Sequence, residues 1–311
     1  MYSLCTALHN LLKKSSILTK LLTLFVFVID IYSCKKIDSK GNGPTLQFRT
    51  DSSYVYKDDT VLIGKTFIVG IIAKKGDVNI TNFIIEVCNN GTIERYLDTG
   101  LNAASLAVNE IIIKGLSSKD TWTFIARDKD GSSASISFNI FASPNSTFGP
   151  VITIPSIILG AQNNTSIGSF LDIKNDVVYS LQQAYSVQDS IEILYYYDAL
   201  TGNANTLASP NATIDASVFP GTYGLANWTV KNEVRYLQTT FTDADFVKFN
   251  NDSLLIATYN DPLAKRKAKN LVVGNIYVFK TADGKLGMFE VLNVTGTDAG
   301  TVEIKVKMQP Y

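Results

Sequence analysis

From Thr45 onward, hydrophobic and polar residues alternate in short runs separated by Asn, Gly and Asp. TLQFRT (45–50) alternates, and TFIVGIIAKK (66–75) is β-branched and long enough for a strand buried on one or both faces. NFIIEV (82–87) and EIIIKG (110–115) follow, then TWTFIARDKDGSSASISFNIF (121–141), two alternating runs joined at Asp130-Gly131. Asp-Gly between alternating runs is a strong hairpin signal, because a two-residue turn needs positive φ. Strands at this spacing predict an antiparallel β-sandwich over residues 45–143.

The segment SPNSTFGP (143–150) holds two prolines, a glycine and small polar residues, which reads as a boundary. Beyond it the alternation resumes. Strands are predicted at 177–181, 190–197, 275–281, 286–294 and 301–308, with turns at Asp283-Gly284 and around Thr297-Asp298. TDADFVKFN (242–250) carries an N-cap at Thr242 or Asp243 and predicts one short helix. The expected fold is therefore mainly all-β: a sandwich at 45–143, then a larger β-rich domain at 151–311 with a short helical insertion.

The first 44 residues follow a different pattern. Lys13, Lys14 and Lys20 precede an apolar stretch, Leu21 to Ser33, of 13 residues. A membrane-crossing helix needs about 20, and Asp30 lies inside the stretch. A positive flank, a short apolar core and a small residue at its end read as a secretory signal peptide over 1–33. Ile31-Tyr32-Ser33-Cys34 resembles a bacterial lipoprotein signal, with aliphatic, small and cysteine positions in order. That resemblance implies diacylglyceryl transfer to the Cys34 thiol, cleavage before it, and a membrane as partner through the lipid. Residues 34–44 would be the lipidated tether, and Lys35 after the cysteine points to an outer-membrane lipoprotein, periplasmic or surface-facing.

Two further resemblances follow. Tyr56, Asp59-Thr60-Val61 and Gly64 before an alternating strand resemble the start of bacterial Ig-like and PKD-like modules. Membership would make residues 45–143 an Ig-like spacer or adhesive sandwich, with Trp122 packing its core. A strand, KTADGK (280–285), an alternating strand and a lysine-rich last strand resemble the end of Bacteroidetes envelope lipoproteins, including the HmuY-like heme binders. Those binders use His, sometimes Met, as axial ligands. Here the only histidine is His9, inside the expected signal peptide, and the mature methionines are Met288 and Met308 on adjoining strands. No heme or other cofactor is expected. DTV (59–61), DSI (189–191) and DSL (252–254) match an O-glycosylation pattern of the same lineage.

Composition then narrows the function. Removing residues 1–33 leaves 25 basic and 27 acidic side chains, a net charge of −2. Such a chain lacks the basic footprint of nucleic-acid binding. Without histidine it has no Ser-His-Asp or Cys-His system and no ordinary zinc site, while carboxylate chemistry such as glycoside hydrolysis stays open. No metal site is expected; Asp128-Lys129-Asp130-Gly131 reads as a hairpin turn rather than a calcium loop.

The candidate ligand residues are Tyr196, Asp198 and Trp228. On a strand, Ile191, Ile193, Tyr195 and Tyr197 share one face, and Glu192, Leu194, Tyr196 and Asp198 the other. With the first face in the core, Tyr196 and Trp228 could offer aromatic platforms to a sugar and Asp198 could accept from its hydroxyls. The expectation is a non-catalytic, lipid-anchored cell-envelope protein, a glycan-binding or adhesion module on an Ig-like spacer, with a polysaccharide or another envelope protein as partner. The alternatives are a structural or assembly component of the envelope, or a carboxylate-based glycoside hydrolase.

Overall fold

Alternation along Thr66–Lys74 places Phe67, Val69, Ile71 and Ala73 on one buried face, the period-2 pattern of a strand packed on one side. A computed structural model describes residues 41–311, of which Asn42–Tyr311 form one unit; Cys34 and the expected signal peptide lie outside the described residues. Among the described residues the fold is mainly β, with three short α-helices.

The first eight strands are β1 (Thr45–Phe48), β2 (Asp59–Val61), β3 (Thr66–Lys74), β4 (Ile80–Asn89), β5 (Thr92–Ala103), β6 (Ser105–Ile113), β7 (Lys119–Asp128) and β8 (Ser133–Ala142). They make a three-stranded sheet, β1-β3-β6, and a five-stranded sheet, β2-β8-β7-β4-β5. Phe67, Ile71, Phe83, Phe124 and Phe138 fill the space between, and Trp122 joins them. The β7–β8 hairpin turns at Gly131, whose φ of +80° suits glycine; Asp128 Oδ1 accepts from the Asp130 and Ser132 amides at 3.0 and 2.8 Å. One feature departs from the expected antiparallel pattern: β2 pairs with β8 in parallel.

The remaining strands are β9 (Ile152–Gly160), β10 (Phe170–Asp172), β11 (Val177–Tyr179), β12 (Ile193–Asp198), β13 (Asn203–Ala208), β14 (Arg235–Gln238), β15 (Lys267–Ala268), β16 (Ile276–Lys280), β17 (Leu286–Thr295) and β18 (Thr301–Met308). They form two five-stranded sheets, β14-β16-β17-β18-β9 and β11-β10-β12-β13-β15. Both give side chains to one core that includes Leu159, Tyr195, Tyr236, Phe279, Phe289 and Ile304.

Each sheet is also covered on its other face. Helix α1 (Leu181–Ser186) and the segment 209–230 roof the β12 sheet, packing Phe219, Leu225 and Trp228 on Phe170, Leu194 and Tyr196. Helices α2 (Asp243–Lys248) and α3 (Ser253–Thr258) bring Phe246, Leu255 and Ile256 onto Ile276, Val278 and Met288 of the other sheet. Thr242 caps α2 in a capping box with Asp245. Met288 and Met308 lie on adjacent strands but in different cores, because Met308 pairs with Gly287 and so faces the opposite side from Met288.

The eight-stranded part and the ten-stranded part share apolar contacts: Ile63 and Ile113 pack into the cluster under α2 and α3. Gly64 takes φ +77°, and a Cβ there would sit 2.4 Å from the Ile256 side chain, so the two parts meet at the backbone. The segment 143–150 is tied down on both sides. Ser146 Oγ accepts from the Ile63 amide at 2.9 Å, and the buried Asp252 accepts from the Gly149 amide at 2.7 Å and Gln309 Nε2 at 2.8 Å.

The chain end supplies a titrating contact. Tyr311 donates its hydroxyl to the buried Glu192 at 2.9 Å, and burial pushes the Glu192 carboxyl up to about 7. A raised folded pKa means the unfolded chain holds fewer protons between the two values, so stability falls as pH rises from about 4.5 to 7. Glu192→Gln, which keeps an oxygen for Tyr311 and carries no charge, is expected to flatten this slope. At pH 7.5 it should be more stable than the parent by on the order of 2 kcal/mol, read from urea midpoints at pH 5 and 7.5.

Candidate functional site

The structure corrects the expected sugar platform. Tyr196 is 1% exposed and Trp228 5% exposed, Tyr196 on the sheet and Trp228 on the inner side of the 209–230 roof that covers it. The alternation along β12 sorts its residues onto two faces as expected, with Tyr195 on one and Tyr196 on the other, but both faces are buried. The Trp228 ring packs 5.4 Å from Phe170, and its Nε1 donates to the Tyr223 carbonyl at 2.9 Å. Asp198 is half-buried at the end of β12, where it accepts from the Thr201 amide at 3.3 Å and caps a 3-10 turn. Tyr196 and Trp228 are brought together as core, and Asp198 is a turn cap; no aromatic face among them is open to a sugar ring.

A different site lies at the seam between the two parts. The ends of β4 and β5, the β6–β7 loop and Trp122 form one wall; the C-terminal end of α3 and the loop Tyr259–Leu263 form the other. They enclose a cleft of about 410 Å³. Three of its lining residues carry buried polar atoms without a partner among the described residues: Asn89 Oδ1, Trp122 Nε1 and Asn260 Oδ1. Leaving such a group unpaired costs about 1–3 kcal/mol, so native proteins rarely collect three in one place. Leu116 and Leu263 are exposed and line the same cleft.

Asp261 organises the cleft's inner end. It accepts from Tyr96 Oη at 2.6 Å and from Tyr259 Oη at 3.0 Å, pairs with Lys280, and has Arg235 Nε at 3.5 Å. Tyr96 comes from the sandwich and the other groups from the C-terminal part, so one carboxylate gathers donors from both. Behind it a second groove, about 270 Å³, is lined by Glu110, Glu233, Arg235 and Lys280. Burial pulls the Lys280 ammonium down to about 8, with Arg235 adding to the shift and Glu110 and Glu233 opposing it. Burial likewise raises Tyr96 and Glu110 above their ordinary ranges. Asp120, also on the cleft lining, pairs with Lys114 at 2.7 Å with both side chains buried, and Lys114 also donates to the Gly115 carbonyl at 3.1 Å.

The seam residues carry a faint sequence signal. Tyr259-Asn260-Asp261-Pro262 is a turn-type string after a helix, and aromatic residues with Asn and Asp in one loop suit a polar site. Their partners Tyr96, Trp122 and Lys280 are distant in the chain, and no local pattern links them.

No protein-family model matches the chain, and neither does any curated protein. Among solved structures, a cycloalternan-degrading enzyme from Trueperella pyogenes matches at 10% identity and TM-score 0.22, over 85% of this chain and 32% of that one. A Ca2+-stabilized adhesin with which an Antarctic bacterium binds ice matches at 12% identity and TM-score 0.21, over 86% and 48%. This chain thus spans less than half the length of either, and likeness at this level carries no argument about fold or activity.

Two substitutions test these placements. Trp228→Ala is expected to destabilise the protein by about 3–5 kcal/mol, as removal of a packed core indole does, with a matching drop in the denaturant midpoint. Asp261→Ala leaves Lys280 and two tyrosine hydroxyls without their shared acceptor. A loss of about 3–5 kcal/mol is expected in the same measurement.

Proposed function

We propose that this is a non-catalytic protein of the cell envelope, anchored by lipid at Cys34, that binds carbohydrate at the seam between its two parts. The observation that carries the carbohydrate reading is the seam cleft itself, lined by the aromatic rings of Tyr96, Trp122 and Tyr259 and the amides of Asn89 and Asn260, three of these side chains carrying a buried polar atom without a partner among the described residues. Sugars offer hydroxyls that both donate and accept, so one ring can satisfy several such groups at once. The reading moves the ligand from Tyr196 and Trp228 to Asn89, Trp122 and Asn260.

The cleft's carboxylates favour binding over hydrolysis. Two-carboxylate hydrolysis needs one protonated acid and one free base or nucleophile. Asp120 is paired with Lys114, and Asp261 holds two tyrosines and two cations. That leaves Glu94 as the one lining carboxylate without an ion pair among the described residues, one short of the two that the reaction needs. A second reading, an assembly component of the envelope, draws on Leu116 and Leu263 at the cleft; there the partner would be an apolar protein segment.

The chain from Lys35, which contains the whole Asn42–Tyr311 unit, is the material for a glycan array. Binding is expected, and Asn260→Ala is expected to weaken it at least fivefold in titration calorimetry without lowering the melting temperature by more than a few degrees. An array without binders would remove the carbohydrate reading and favour the assembly role. Separately, Cys34→Ala should abolish incorporation of labelled fatty acid and release the protein from membranes; equal labelling would refute the anchor.

A further inference from the structure

We propose that the side chains of Lys114 and Asp120 condense into an amide, a covalent staple between the two sheets of the sandwich. The bond owes nothing to what the cleft binds and stands apart from the carbohydrate reading.

Lys114 follows β6 of the three-stranded sheet, and Asp120 lies on β7 of the five-stranded sheet. Lys114 is wholly buried and Asp120 is 4% exposed, with Nζ 2.7 Å from Oδ2. Among the described residues no other ion pair has both partners so far from water. The backbone holds each partner in place. The Lys114 amide donates to the Lys65 carbonyl at 3.0 Å and its carbonyl accepts from the Gly64 amide at 2.8 Å. Asp120 is paired between Asn89 of β4 and Ile140 of β8. An amine and an acid fixed in contact react as one molecule, without the entropy cost of meeting. Condensation also replaces two buried charges, which are costly to keep from water, by one neutral group.

The proton path is present as well. Ser117 Oγ accepts from Lys114 Nζ at 3.3 Å and donates to Asp120 Oδ1, so one hydroxyl touches both reactants. A proton passing from Nζ to Oγ, while Oγ gives its own to Oδ1, leaves an amine facing a carboxylic acid. The Nζ lone pair attacks Cγ and the Nζ–Cγ bond forms. A second Nζ proton travels the same way, the Cγ–Oδ1 bond breaks, and one water departs. Ser117 and Asp120 both line the seam cleft, which gives that water an exit. The remaining N–H has the Gly115 and Ser117 carbonyls, both already accepting from Nζ, as acceptors.

Mass spectrometry of the chain from Lys35 tests this without any ligand. The intact protein is expected to be lighter than its sequence by one water, about 18 Da. Trypsin should fail to cut after Lys114, leaving the segment 96–119 joined to 120–127 in a single species. A protein of full mass would overturn the proposal. So would a loss of water with normal cleavage after Lys114, since the dehydrated residue would then be another. Ser117→Ala removes the relay but neither reactant. In newly expressed protein followed over time, it is expected to lose water at least about tenfold more slowly than the parent, the low end of what a positioned proton relay contributes. Equal rates would overturn the assigned relay, and the peptide map decides the bond itself.

Discussion

Asp261 is the contact on which the arrangement of the two parts depends. A carboxylate that is mostly removed from water is tolerable only when its lone pairs are filled and its charge is met. Here Tyr96 reaches it from the sandwich, and Tyr259, Lys280 and Arg235 reach it from the other part. Apolar burial around Ile63, Ile113 and Ile256 presses the parts together without direction. Asp261 supplies the direction, since its partners converge in only one relative placement. The cleft is what remains open beside that junction, and its unpaired atoms sit within the same few residues.

The seam also changes the meaning of the Pro- and Gly-bearing connection. By composition SPNSTFGP looks like a swivel between independent modules. In the structure Ser146 and Gly149 are each hydrogen-bonded to a neighbouring part, and Pro150 makes an isolated bridge with Asn251. Proline and glycine serve there to route the chain through a narrow passage, with Asp252 closing it against Gln309. Site residues on both walls are thereby held at a set separation, which a hinged linker would not provide.

How much of this was legible in the sequence varies by the kind of signal. Six of the sandwich strands (β1, β3, β4, β6, β7 and β8), the Asp130-Gly131 hairpin, the capped helix at Asp243–Lys248 and the last three strands follow from local period and turn chemistry, and all are present; β2 and the twelve-residue β5 are not among them. β9 was not legible, because Pro155 breaks its pattern; it is an edge strand with an extra residue between Ile154 and Ile157, so its buried positions lose the period of two. Helices α1 and α3, at six residues each, are too short to show a helical repeat. Tyr196 was misread for a different reason. Its face was assigned correctly, but whether a face meets water depends on the roof at 209–230, which has almost no regular structure and no pattern to announce it. The seam depends on residues more than 160 positions apart, Tyr96 and Asp261, and only three-dimensional proximity reveals it.

Under the proposed function, with the amino-terminal side anchored and a ligand held at the seam, the strand order of the sandwich has a mechanical meaning. Tension would enter through β1, pass to β3 across four antiparallel pairs and on to β6 across nine, and leave at the loop after Ile113 that forms part of the cleft wall. Those strands run along the pull, so their hydrogen bonds bear it together in shear instead of opening one after another. The ten-stranded part lies off this path and bears on it only as the opposite jaw of the grip. A load would therefore be carried mainly by the smaller half of the molecule.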